Sequence, residues 1–206
     1  MGRLEFGAGY GNVTGVVGSI GLSHGNLFGY GYKAYIRAEL GERVMNFRLG
    51  FTDPRFLDTP VSIGFDAYNQ TYEYNTYDAD VLGGDLKIGS EITDTIRADL
   101  VYLLEKVRIY DIDDDASDYI KSQRGTSTTG KVTLTLTRDT IDDPYNPRKG
   151  SNIWVSGAIA GLGGDNYFYS AKAGVSWFYP LIGDLVLNLR GNIGMVRAYN
   201  SDNQGK

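Results

Sequence analysis

Along most of the chain apolar and polar side chains alternate one by one, the pattern of an extended strand whose two faces meet different surroundings. Tyr30, Tyr32, Ala34, Ile36, Ala38 and Leu40 share one face, while Gly31, Lys33, Arg37 and Glu39 share the other with Tyr35. Met45, Phe47, Leu49 and Phe51 likewise oppose Asn46 and Arg48, and Leu185, Leu187, Leu189, Ile193 and Met195 oppose Asn188, Arg190 and Asn192. Tyr167, Tyr169, Ala171, Ala173, Val175, Trp177 and Tyr179 face away from Ser170, Lys172 and Ser176, with rings at both ends and small residues between. That distribution matches the aromatic girdles of barrels that cross a membrane.

The alternation predicts about eleven strands, near 3–10, 14–24, 30–40, 42–52, 60–71, 77–91, 94–110, 128–139, 150–161, 166–179 and 184–198. Most have ~9 to 12 residues or more, enough for a tilted strand to cross the hydrocarbon layer, where strands of soluble sandwiches have ~5 to 6. The expected fold is therefore all-β, an antiparallel transmembrane β-barrel. Short turns fall at Gly25–Gly29, Thr93–Asp94 and Ile182–Gly183, and the longest loop runs from Asp111 to Thr128, so the connections are expected to alternate in kind between two rims. With the first strand rising from the periplasm, 111–128 lies outside the cell and 139–150 is a periplasmic turn.

Composition sharpens this picture. Among 206 residues there are 28 Gly and 16 Tyr but no Cys, an all-β profile without a disulfide framework or a cysteine-ligated zinc. The net charge of -5, with 20 Lys and Arg interleaved among acids, leaves no basic stripe for a nucleic acid. No run approaches the ~18 to 20 apolar residues of a membrane-crossing helix. Met1 and Gly2 lead straight into the alternating segment Arg3–Tyr10, and the chain closes on the polar residues Gln204, Gly205 and Lys206. An odd strand number with open edges leaves backbone groups unpaired in lipid. The chain is thus expected to be a portion of a barrel, completed by further C-terminal strands or by another chain.

Residues 136–150 read LTRDTIDDPYNPRKG; a strand, the loop Gly161-Leu162-Gly163-Gly164-Asp165 and a strand ending Trp177-Phe178-Tyr179-Pro180-Leu181 follow. The spacing of Arg138, Asp139, Asp143, Pro144, Asn146, Pro147 and Gly150 resembles a turn motif of the BamA family of outer-membrane protein assembly factors. Leu4 to Gly11 resembles that family's first barrel strand, and Asn26 to Gly31 and Thr52 to Phe56 resemble its next two periplasmic turns. The resemblance covers nearly the whole chain in order. It implies about eleven strands of a sixteen-stranded barrel in the bacterial outer membrane, with residues 1–206 forming the N-terminal portion of the barrel domain. The family's periplasmic domains and last barrel strands would lie outside this chain, as would its arginine-containing inward loop motif.

The resemblance further implies a barrel that helps fold and insert nascent outer-membrane β-barrel proteins through a lateral seam. Membrane lipids and periplasmic accessory lipoproteins would be its other partners. The seam strand would comprise Arg3, Leu4, Glu5, Phe6, Gly7, Ala8, Gly9 and Tyr10, where Gly7 and Gly9 weaken packing and Leu4, Phe6, Ala8 and Tyr10 face lipid. Those residues equally suit an ordinary barrel wall in which glycine relieves curvature, and the turn motif equally suits plain turn chemistry, with Arg138 pairing an acid in the lumen. A related translocation or secretion pore is the alternative function.

Nothing in the chain assembles a catalytic site. His24 stands alone, so a Ser/His or metal constellation has no partner for it. The acidic loop Asp111, Asp113, Asp114, Asp115 and Asp118 lacks the glycine and glutamate spacing of an EF-hand and reads as a solvated loop. Gly7-Ala8-Gly9 and Gly161–Gly164 do not join a strand to a helix, as phosphate-binding loops do. No cofactor or metal is expected.

Overall fold

A computed structural model describes residues 2–12 and 14–199. The polar end at Gln204, Gly205 and Lys206 lies outside the described residues. The strands are β1 (Gly2–Gly11), β2 (Gly15–Leu27), β3 (Tyr32–Gly41), β4 (Val44–Asp53), β5 (Val61–Glu73), β6 (Asp78–Thr93), β7 (Ile96–Tyr110), β8 (Gly125–Asp139), β9 (Gly150–Ala160), β10 (Phe168–Pro180) and β11 (Val186–Ala198). All eleven form one antiparallel sheet in chain order. A 3-10 turn (Phe56–Asp58) and the short helix α1 (Asp118–Ser122) sit in connections. Among the described residues β1 and β11 each have a single neighbour, and the ends of the sheet are not joined.

The register aligns the alternation of every strand with that of the next. Leu4 pairs with Leu22, Leu22 with Ile36, Ile36 with Leu49 and Leu49 with Ala67, a continuous apolar row across five strands. A one-residue slip would turn every side chain of a strand to the wrong face, which is why an alternating pattern fixes pairing so firmly. On β7 the outer positions are Ile96, Ala98, Leu100, Tyr102 and Leu104, followed by Lys106 and Arg108. At ~3.4 Å per residue and a tilt of ~35–45°, the rise from Ile96 to Lys106 is roughly 25 Å, the height of a barrel's apolar band.

No second layer covers this face among the described residues. Among the described residues the only buried apolar side chains are Val44, Ala79, Ala116, Ala160 and Phe178, while Phe6 and Ile193 are 74% and 78% exposed. A soluble sandwich would bury these side chains between two sheets. Rings mark both edges of the band: Tyr30, Tyr32, Phe51 and Phe65 form one chain of contacts and Trp177 meets Tyr179, all toward one rim, while Tyr167, Tyr169 and Tyr199 cluster toward the other.

The inner face is polar, and glycines shape it. Glu5 and Arg37, on β1 and β3, meet at 3.4 Å over Gly21 of β2. Tyr35 donates to Asp66 at 2.9 Å over Gly50, and Tyr68 donates to Glu105 at 2.6 Å over Gly83. Arg97 reaches Ser62 at 2.8 Å past Gly89. In each case two side chains on alternate strands touch because the strand between them presents no Cβ. Such contacts draw alternate strands together on the inside, the sense of curvature a barrel wall requires.

Three sequence expectations change. The rims are not distinguished by connection length: the rim of the two-residue turn 94–95 also carries the long turn 140–149, and the opposite rim carries both the turn 42–43 and the loop 111–124. The latter loop ends at Arg124, because β8 begins at Gly125 and a turn of helix capped by Ser117 occupies the loop's middle. His24 does not end β2, which continues to Leu27 through an irregularity where the His24 Nδ1 accepts from the Asn26 N–H at 3.2 Å.

Candidate functional site

β1 is paired along its whole length on one side, from Gly2 opposite His24 to Gly11 opposite Gly15, and has no strand on the other among the described residues. The side of β1 away from β2 carries backbone N–H and C=O groups with which a further strand can pair. Leu4, Phe6, Ala8 and Tyr10 point to the outer face, opposite Leu22, Ile20, Gly18 and Val16. Arg3 and Glu5 point inward and form an ion pair at 3.6 Å, extended by Arg37. A Cβ at Gly7 would lie 2.6 Å from the Ser19 Oγ, whereas one at Gly9 would meet nothing within 4 Å. Gly7 thus makes room for a neighbour and Gly9 leaves the edge thin. A hollow of about 560 Å³ lies against the strand, lined by Glu5, Ser19, Arg37 and Glu39 on its polar side.

The turn from Asp139 to Gly150 is built from side chains that satisfy its own backbone. Asp139 accepts from the Ile141 N–H at 2.9 Å with one carboxylate oxygen and from Asn152 at 2.8 Å with the other. Asp143 accepts from the Tyr145 N–H at 2.8 Å. Asp142 gathers the N–H groups of Arg148 and Lys149 at 3.0 and 3.1 Å, and these donors hold its carboxyl below the usual carboxylate range. Gly150 has φ +105, and a Cβ there would strike the Thr140 carbonyl. Pro144 and Pro147 rigidify the stretch between, which carries Asn146 and the fully exposed Tyr145. Arg148 pairs with Asp184 of the neighbouring turn, tying the two connections together.

Arg138 departs from its expected place. It continues the outer-face series Leu134 and Leu136, pairs in register with Ile96 and Ile153, and makes no ion pair among the described residues. The two-residue period puts it on the membrane face at the rim, not in the lumen. β1 and this turn are also far apart, with β2 to β7 between them, so they do not form one site. Among the described residues no group of three or more acidic, His or Cys side chains is placed to hold a metal ion.

The Gly161–Asp165 loop closes on β8 above the end of β9. Gly161 and Leu162 donate to the Gly130 carbonyl at 2.9 and 3.2 Å, and Asp165 donates to that of Thr128 at 2.7 Å while its carboxylate accepts from the Thr128 N–H. A Cβ on Gly130 would collide with the Leu162 backbone, and one on Gly164 would lie 2.5 Å from the Thr128 carbonyl. The loop is a backbone latch. The loop itself was marked in the sequence by its glycines, but its closure onto β8 was not, and the inner-face glycines did not stand out, although glycines at polar-face positions of Tyr-rich strands were the available signal.

One antiparallel sheet with an apolar band on one face, a polar network on the other and aromatic edges defines the wall of an outer-membrane β-barrel. The chain belongs to the Omp85 superfamily, whose domain model matches residues 26–205. It is similar to the "Outer membrane protein assembly factor BamA" of Neisseria meningitidis, with 29% identity over 96% of this chain and 27% of that protein. The protein of the same name from Nitratidesulfovibrio vulgaris is 30% identical over 95% of this chain and 25% of its own length. The chain therefore spans about a quarter of these relatives. The crystal structure of BamA from Haemophilus ducreyi lacking POTRA domains 1–3 shares the fold, with a TM-score of 0.77 and 20% identity over 96% of this chain and 41% of that one.

Proposed function

We propose that this wall is the N-terminal portion of the barrel of an outer-membrane protein assembly factor, and that β1 is the edge on which a nascent barrel strand pairs. The observation that supports the reading is the make-up of β1, thinned by Gly7 and Gly9 beneath the outer rings of Phe6 and Tyr10, in a chain whose relatives are named assembly factors. Edge pairing supplies affinity through N–H and C=O groups, which every client strand possesses, so it suits a factor with many clients. The outer rings of Phe6 and Tyr10 keep the incoming strand at the membrane face, and the small Ala8 and Gly9 let it approach. Assembly of this kind requires no covalent chemistry. With β1 rising from the periplasm, the rim of Asp139–Gly150 faces that compartment, where accessory lipoproteins would dock.

The chain has no cysteine, so introduced thiols report cleanly. Ala8→Cys or Gly9→Cys should form disulfide adducts in cells with a thiol placed in the terminal strand of a client barrel during its assembly, whereas Leu134→Cys in the middle of the wall should not. Equal adducts from both regions, or none from β1, would sink the proposal.

A further inference from the structure

Between β8 and β11 the outer face is hollowed into a groove of about 680 Å³. Leu134 and Leu136 form one wall, Ile193 and Met195 the other, and Gly157, Ala171 and Ala173 the floor. The groove lies inside the apolar band, where the surrounding medium is hydrocarbon and an acyl chain packs against the walls at no cost in lost hydrogen bonds.

Arg138 stands at the end of one wall. It follows Leu136 on the same face of β8, ~7 Å further toward the rim, and is exposed between Ile96 and Ile153 with no carboxylate of the described residues at ion-pair distance. A guanidinium at the edge of hydrocarbon is matched by a phosphate, whose oxygens it binds through two parallel N–H groups. Trp177 and Tyr179 lie in contact at the same rim, the level at which interfacial rings meet lipid headgroups.

We propose that the groove and Arg138 together bind one anionic glycerophospholipid of the periplasmic leaflet. One acyl chain lies over Gly157 and Ala171 and the phosphate rests on the Arg138 guanidinium. The leaflet rests on the orientation proposed above, in which the rim of the turn 140–149 faces the periplasm. The site is remote from β1, so it stands whether or not β1 receives client strands.

Native mass spectrometry of the full chain, released from detergent after equilibration with phosphatidylglycerol, phosphatidylethanolamine or lipid A, tests this. One phosphatidylglycerol adduct should survive at roughly tenfold the level of phosphatidylethanolamine, whose ammonium offsets the charge of the same phosphate and repels the Arg138 guanidinium. Arg138→Gln should remove that preference and Arg138→Lys should keep part of it. Gly157→Leu should lower retention of the lipid without disturbing the wall, because a Cβ at Gly157 meets nothing within 4 Å. Equal retention of the two phospholipids, a preference that survives Arg138→Gln, retention unaffected by Gly157→Leu, or a preference for lipid A would each overturn the assignment.

Discussion

Gly83→Ala probes the inner-face glycines directly. A Cβ at Gly83 would lie 2.7 Å from the Tyr68 Cζ and hydroxyl, far inside contact distance, so the ring must move. Moving it breaks the 2.6 Å hydrogen bond from Tyr68 to Glu105. A hydrogen bond to a charged acceptor contributes about 1.5–3 kcal/mol, and overpacking costs about 1–3 kcal/mol more. Against this, alanine in a strand gains about 0.5–1 kcal/mol over glycine through its smaller backbone entropy. Because Tyr68 is only half-buried in a polar lumen, the lower ends apply, and the expected net loss is about 2 kcal/mol. The sign should reverse when the ring is gone. In a Tyr68→Ala background Gly83→Ala should stabilise by about 0.5–1 kcal/mol. Urea unfolding of the four members of this cycle in lipid vesicles measures both numbers. An equal cost of Gly83→Ala in the two backgrounds would show that the glycine serves its own strand and not the contact that crosses it.

Lys87 sits against Asp66 and Asp85, which face each other in register, and among the described residues its ammonium at 3.4 Å is the only partner of the Asp85 Oδ1, which has no hydrogen bond there. Lys87→Met should cost about 1 kcal/mol, the modest value set by solvent at a lysine 43% exposed, and adding Asp85→Asn should recover most of it in the same unfolding assay; no recovery would exclude carboxylate repulsion as the cause. Gly130→Ala should open the loop latch and expose 161–167 to limited proteolysis, and a loop that stays resistant would refute the latch. Asp142 has a lowered pKa in the folded turn, so its contribution is fully present above the unfolded carboxylate value and is lost as pH falls through the lower folded one. Amide protection of Arg148 and Lys149 should therefore persist at neutral pH, fall on strong acidification, and be weak at all pH values in Asp142→Ala; pH-independent protection in the unsubstituted chain would contradict this.

The strands and their faces were legible in the sequence because a two-residue period carries both facts at once. Ile36 against Arg37, or Leu189 against Arg190, states the strand, its two faces and their two solvents in adjacent positions. Turn chemistry was also local: the Asp, Asn, Pro and Gly residues of 139–150 bond within their own segment, so the motif could be recognised before its geometry was known. The extra turns of β8 at Gly125–Ser127 were not legible, since a stretch of Gly, Thr and Ser has no apolar alternation and becomes a strand only by pairing with β7.

Tertiary structure alone decided the relations between strands. Whether Gly83 lies beneath Tyr68 and Glu105, and Gly50 beneath Tyr35 and Asp66, depends on the registers of two successive pairings, which no single segment encodes. Arg138 is the opposite case: its charge suggested the lumen, but the two-residue period it shares with Leu134 and Leu136 already assigns it to the membrane face, where its register with Ile96 and Ile153 places it. The sequence by itself determined an alternating, membrane-crossing β wall, because solvent on two faces acts on each residue separately. The curvature of that wall and its groove came only from pairing, because each is a property of several strands held side by side.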